Sequence, residues 1–431
     1  VILPLILIFF SAAAATIVAY GTDSAWGQFN HGLDLILWSR RLQWPLIAAA
    51  LLLCLALLAL VISGKRRAWW LIALLPILAL FAHRFVTGPT RSLTVAENPA
   101  FIDASRATFL QGDDYVVGVR FGDWAYAFPY SVLFHAPAVL QSDREKRMIL
   151  LWSPFANRAL AFNAARDLRG RDLEVVSSPA NATLLYNARL GQFINALTGK
   201  TPGGEKPTGF GDELAAVKMP WSQWRALNPQ SRVMMPLDSS WKTAPAQPLL
   251  PRYAMPRSRP ELADERRVCV VAATQPIALP SDALRDAPLN LSAGKTAVLL
   301  LRQSSDGVAR AFARNLDEDL TPRFSTATDP KHPDVALIDS DTNSEWTAAG
   351  TAVQGPKEIK GKKLSPVPVE DGLYWGVMKF WYPELRLMDA DALAAAVEKP
   401  AARDVSAAEE AAVPVKHTAL NPKRHRRNRK K

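Results

Sequence analysis

His135 and the loop Ser153-Pro-Phe-Ala-Asn157 hold the residue types closest to a reactive constellation in this chain. A hydroxyl beside an imidazole can serve as nucleophile and general base, but only with an acid that orients the ring and donors that hold the developing oxyanion. Ala136 and Pro137 follow His135, no acid stands near it in sequence, and no motif supplies an oxyanion pocket. A lone imidazole is also a poor metal site. His135 is therefore expected as a partly buried, hydrogen-bonding histidine packed beside Phe134 and Pro137. Asp339, Asp341 and Glu345 gather three carboxylates but lack the glycine and terminal glutamate spacing of a calcium loop, and they read as a turn with solvated acids. Cys54 lies in an apolar run and Cys269 in the strand-like Val268-Cys-Val-Val271, so neither a disulfide framework nor a thiolate zinc site can be assembled. The sequence contains no phosphate loop, dinucleotide fingerprint, nucleophile elbow or paired-histidine zinc motif. No cofactor is expected.

The elements that must position these residues come in two matching sets. Trp221-Ser-Gln-Trp224 leads to Pro229, Arg232 and Met234, and Trp375 leads to Pro383, Arg386 and Met388 at identical spacing. Upstream, Pro129, Leu133, Ala136 and Pro137 face Pro280, Leu284, Ala287 and Pro288 without a gap. Ile149-Leu-Leu-Trp152 faces Val298-Leu-Leu-Leu301, and Gly191-Gln-Phe193 faces Ser344-Glu-Trp346. This reads as one large unit used twice, much longer than a solenoid repeat. Within it the pattern is of short β runs: 115–121, a Gly122-Asp123 turn, then 124–128 ended by Pro129, with 148–152 and 158–162 bracketing the Ser153 loop. Residues 221–227 form a short closing helix stopped by Pro229. In the second copy, Pro276 stands where the first has a hairpin strand, so an irregular edge is expected there. Trp221, Trp224, Trp375 and Trp381 are expected as buried anchors rather than a ligand cage, since large aromatics in a closing helix bury much area.

Ahead of this lies an apolar stretch with room for three membrane spans, at about residues 1–20, 44–63 and 69–86, each near the roughly 20 residues a bilayer requires. Trp38, Trp44, Trp69 and Trp70 stand at their ends, where aromatic rings favour the headgroup region. The first run lacks the basic start of a cleaved signal. Residues 31–44 mix apolar and basic side chains like a helix lying in the interface, or like the start of the second span. The compact Lys65-Arg-Arg67 loop argues for a cytoplasmic position and so places everything after residue 86 outside the cytoplasm, while Arg40, Arg41, Arg84 and Arg91 pull the other way.

The chain is 431 residues long, 49% hydrophobic and carries a formal charge of +11. Seven of those charges sit in the final Lys423-to-Lys431 segment, so the basic balance describes a tail. That tail is expected to be disordered and suited to anionic lipid or polymer, and no specific nucleic-acid surface is expected.

The first copy resembles a known family, the bacterial domain of unknown function 3179 (DUF3179). Members show a Gly-Val-x-x-x-Gly-x-x-x-Ala-Tyr-Pro strand pair, a His-Glu pair, a Tyr-Cys-Pro-x-Cys-Gly segment, a Gly-x-x-Trp segment and a closing Trp-x-x-Trp with a following proline. Here these correspond to Gly118 through Pro129, His135, Trp152 through Asn157, Gly191 through Phe193, and Trp221, Trp224 and Pro229. The resemblance covers residues 98–388. Where the family has its cysteine pair, this chain has Ser153 and Ala156, and His135 has no glutamate partner. The resemblance therefore marks His135, Ser153 and Asn157 as a family site in degenerate form and excludes thiolate chemistry there.

The expected architecture is a three-helix membrane anchor (residues 1–90) carrying a mainly β, α+β tandem duplicated domain. Its parts are a first repeat at 95–235, a proline-rich linker at 236–263, a second repeat at 264–390 and a basic tail at 391–431. The expected function is a membrane-anchored, non-catalytic binding or scaffolding protein of the bacterial cell envelope. Its soluble repeats would be periplasmic, and its helices would contact the bilayer or membrane-protein partners. The alternative is an enzyme or metal-binding protein that uses His135 with partners distant in sequence.

Overall fold

The structure, a computed structural model, describes residues 2–397 apart from 65–66, 89–91, 251–258, 285–286, 303–306, 318–319 and 328–333. The basic tail and the core of the Lys65-Arg66 loop lie outside the described residues, as does Asp286, which aligns with His135 at the spacing that matches Ala136 to Ala287.

Three helices, Ile2–Tyr20, Gln43–Ile62 and Ala68–Thr87, are long and apolar enough to cross a bilayer. The first helix packs on both of the others: Leu7, Leu57 and Trp70 are buried together where they meet, Ala14, Ala15 and Val18 of the first helix are buried as well, and Leu51, Leu52, Leu55, Leu75 and Leu78 of the other two are exposed. Trp38, Trp44 and Trp69 are exposed at the ends.

Residues 31–44 resolve into a separate helix, Gly32–Arg41, that breaks at Leu42 before the second long helix begins. One face is not free for lipid. Ile36 is fully buried against Val176, Leu184 and Phe193 of the β region. Arg40 pairs with Glu174 and lies 4.6 Å above the Tyr186 ring, and Ser24 Oγ accepts from Ser178 N at 2.9 Å. This docking was not legible in the sequence, because its partners lie well over a hundred residues away.

The β region is built as two stacks of three sheets. In the first stack the strand order Ala216–Pro220, Tyr115–Phe121, Trp124–Pro129, Arg232–Met234, Phe101–Asp103 makes one sheet. Val95–Glu97, Ala138–Asp143, Lys146–Ser153, Arg158–Ala164, Phe210–Leu214 makes the second, and Gln192–Asn195, Leu184–Asn187, Leu173–Ser177 the third. The middle sheet is covered on both faces, and its side chains alternate between two cores. Val139, Met148, Leu150 and Trp152 enter the core shared with the first sheet, whereas Leu140, Ile149 and Leu151 enter the core shared with the third. That is why the run around Ile149 is unbroken by polar residues.

In the second stack, Val369–Tyr374, Arg267–Val271, Ile277–Pro280, Arg386–Leu387 form one sheet in the order of the first stack's corresponding strands. Leu289–Ala293, Thr296–Arg302, Ala309–Ala313, Ser365–Val367 form the covered middle sheet, with Val298 and Leu300 facing one core and Leu299 and Leu301 the other. Phe324–Thr326, Val335–Asp339, Glu345–Thr347, Ala352–Gln354 form the third.

Three expectations need correction. The hairpin near Pro276 is regular, pairing Val268 with Pro280 through Val271 with Ile277. Pro276 falls in a connecting turn, where its missing N–H leaves no gap in the ladder. The proline-rich segment after Met234 is not a loose linker where it is described. Trp241 packs against Phe109 at 5.4 Å, and Ala246 O accepts from Tyr115 N. Nor are the acids of the 339–345 turn simply solvated: Asp339 is fully buried, accepting from Asp341 N at 2.9 Å and from Thr342 Oγ1.

Candidate functional site

The closing helices Trp221–Leu227 and Trp375–Trp381 begin directly after a strand, each opening on a buried tryptophan. Trp224 lies flat on Gly118, where a Cβ would stand 2.0 Å from its ring, so glycine is the one residue that lets the helix close on the hairpin. Trp221 and Trp224 share a core and Trp375 occupies another. All three are packing anchors.

The Ser153 loop is equally committed. Ser153 is fully buried and its Oγ accepts from Thr183 N at 3.2 Å. Asn157 adopts φ +50°, a left-handed conformation suited to glycine or asparagine, which accounts for an asparagine where the family motif has glycine. Its Oδ1 accepts from the buried Tyr130 hydroxyl at 2.8 Å. Its Nδ2 donates to Gly372 O, in the second stack, at 2.8 Å. His135 is half-buried, edge-on to Phe134 at 5.5 Å. Its backbone carbonyl accepts from Thr94, but its ring makes no hydrogen bond to a described residue, so the expected side-chain bond is not there. Ser153 and His135 are not brought together. Among the described residues, no three His, Cys, Asp or Glu side chains gather as a metal site.

What the fold does bring together is a charged seam between the stacks. Arg158, the residue after Asn157, donates Nε to Glu370 Oε2 at 2.8 Å and Nη1 to the Tyr382 hydroxyl at 2.7 Å and to Leu197 O. Lys218 Nζ donates to Glu370 Oε1 at 3.0 Å and to Asn157 O. Burial pushes the Glu370 carboxyl up, but the charges and hydrogen bonds of Lys218 and Arg158 outweigh it and hold the group below the ordinary carboxylate range. Arg302 pairs with Asp371, which also accepts from Ser281 Oγ at 2.6 Å. Around these ions the seam is apolar, with Ala156, Ala182 and Leu197 of the first stack against Tyr374 and Val377 of the second. Trp381 Nε1 donates across it to Ala180 O at 3.1 Å.

Beside the ion cluster lies a cavity of about 970 Å³, lined from both stacks by residues that include Asn157, Lys218, Gln223, Arg267, Ser281 and Asp371. Of the residues singled out from sequence, only Asn157 reaches it. Arg158, Lys218, Glu370, Arg302 and Asp371 were missed. One signal was available: at the offset that superposes Trp221 on Trp375, Lys218 faces Gly372 and Glu370 faces Ala216. The two stacks thus carry opposite charges at positions the other leaves uncharged, as expected of surfaces that meet.

The fold and site define a class: a β protein of two stacked halves joined through a buried ionic seam, preceded by helices apolar enough to span a bilayer. The family described as a protein of unknown function (DUF3179) matches residues 94–385, and the chain belongs to it. No curated protein and no solved structure matches the chain.

Proposed function

We propose that this is a membrane-anchored binding protein of the cell envelope, without catalytic chemistry at the family's cysteine position, that takes its ligand in the cavity between two duplicated halves. The observation that carries this reading is the fate of the Ser153 loop. Its hydroxyl is buried against Thr183 and its Asn157 side chain is spent on Tyr130 and Gly372, while a cavity of ligand size remains open beside it. The duplication is supported by the shared strand order of the two stacks and the equivalent closing helices. The extracytoplasmic orientation is supported by what happens to two of the four arginines that argued against it. Arg40 is bound to Glu174, and the buried Arg84 lies within reach of the same carboxylate's charge, so neither serves as a free topogenic charge, while Arg67 in the opposite loop is exposed.

The test is native mass spectrometry of the full chain purified from membranes, compared with Ala283→Trp, which places an indole in the cavity. A small-molecule adduct on the parent that disappears in the folded variant supports the reading. Absence of any adduct, or one indifferent to the indole, refutes it.

A further inference from the structure

The lining of the cavity is unevenly charged. Lys218, Arg266, Arg267 and Arg302 line it together with Asp282 and Asp371. Two of these cations are matched: Arg266 holds Asp264 at 2.7 Å, and Arg302 holds Asp371. Lys218 is in a different position. It shares one carboxylate, Glu370, with Arg158, so two positive charges converge on a single negative one, and the Lys218 side chain is only 7% exposed. Glu213, an exposed acid that does not line the cavity, feels the charges of Arg158 and Glu370. An ammonium carries three N–H donors, and among the described residues the two acceptors at Lys218 Nζ are Asn157 O and Glu370 Oε1. One donor and one unbalanced charge remain on a wall largely removed from water, where an unmatched charge is costly. Arg267, exposed and lining the same space, extends the positive field to solvent. The rest of the lining is mixed: Met219, Pro220, Leu387 and Leu393 offer apolar surface, and Gln223 and Ser281 offer neutral hydrogen-bonding groups.

We infer that the cavity binds a small organic anion whose carboxylate or phosphate group takes the remaining N–H of Lys218, with its carbon skeleton lying on Met219 and Leu393. This rests on the reading of the cavity as the binding site and adds the chemical class of the ligand. The anion completes a set of two cations and two anions at the seam. Because that set joins the two stacks, ligand binding also strengthens their contact.

The experiment uses the full chain in detergent, with thermal unfolding followed by tryptophan fluorescence. Succinate, glycerol 3-phosphate and, as a neutral control, glycerol are titrated at constant ionic strength. The expected result is a saturable rise in midpoint with succinate or with glycerol 3-phosphate and none with glycerol; which anion acts tells carboxylate from phosphate. Lys218→Met should weaken that anion by at least about tenfold, as loss of a charged hydrogen bond does, while Lys218→Arg retains most of the effect. The unliganded transition of each variant shows that it is folded. No saturable shift with either anion, or a shift unchanged in folded Lys218→Met, overturns the inference. The two levels fail separately. A native adduct that is lost in Ala283→Trp but is uncharged and insensitive to Lys218→Met leaves the binding reading standing and removes the anion.

Discussion

Replacing Glu370 by glutamine tests whether the ionic seam holds the two stacks together. The substitution keeps the shape of the side chain and removes its charge, leaving Arg158 and Lys218 facing one another with only neutral acceptors: Leu197 O, the Tyr382 hydroxyl and Asn157 O. Stripping one partner from a buried ion pair costs about 3–5 kcal/mol, because the remaining charge stays desolvated. Arg158 and Glu370 are each 17% exposed, so some water reaches the site and the lower end, about 3 kcal/mol, is expected. For a unit of this size that lowers the melting midpoint by roughly 6 °C or more. Lys218→Met should cost much less than Glu370→Gln, since Glu370 then keeps Arg158 and the excess positive charge is relieved. The pH dependence follows from the lowered pKa of Glu370. A carboxyl whose folded pKa lies below its unfolded value of about 4.3 contributes stability that is present above that value and lost as pH falls through the folded pKa. The parent and Glu370→Gln should therefore differ fully at neutral pH and converge in acid. The assay is urea and thermal unfolding of the full chain in detergent by tryptophan fluorescence, between pH 3 and 8. Equal losses for the two variants, or a Glu370→Gln cost under about 1 kcal/mol at neutral pH, would show that the seam is solvated and the argument wrong.

Other consequences are simpler to read. Gly118→Ala drives a methyl into the Trp224 ring and should destabilise by about 1–3 kcal/mol as overpacking does, and Trp224→Leu in the same chain should recover part of that loss in a double-mutant cycle. Trp221→Ala empties a core site and should cost about 3–5 kcal/mol; a loss below 1 kcal/mol by urea titration would contradict its burial. His135→Ala should change stability by less than about 1 kcal/mol, since its half-buried ring has no hydrogen bond to a described residue, and should leave the protein's cellular role intact; loss of that role in a folded variant would favour the enzymatic alternative. Asp238→Cys should react with an impermeant maleimide in intact cells and Arg67→Cys only after permeabilisation, against a low background because Cys269 is buried and Cys54 lies in an apolar helix. The reverse labelling would turn the proposed orientation around.

Local chemistry and periodicity were enough to read much of this protein from its residues alone. Three runs of apolar residues set the three long apolar helices nearly to the residue, because length and hydropathy are properties of a continuous segment. The turn at Gly122-Asp123, the stop at Pro129 and the tryptophan that opens each closing helix were legible for the same reason. Each is a local rule. The runs at Ile149 and Val298 were read as strands, but that each lies in the middle of its stack, buried on both faces, emerged only in the structure. The site was not legible in this way. Ser153 and His135 attracted notice through their types, yet Ser153 is buried against Thr183 and His135 stands apart at Phe134. The groups that do converge, Arg158, Lys218 and Glu370, looked like ordinary strand charges, since Arg158 and Glu370 lie more than two hundred residues apart. Only the packing of one stack on the other turned them from solvated ions into a desolvated cluster, because burial and Coulomb interaction depend on distance through space and on exclusion of water, neither of which a single strand's sequence contains.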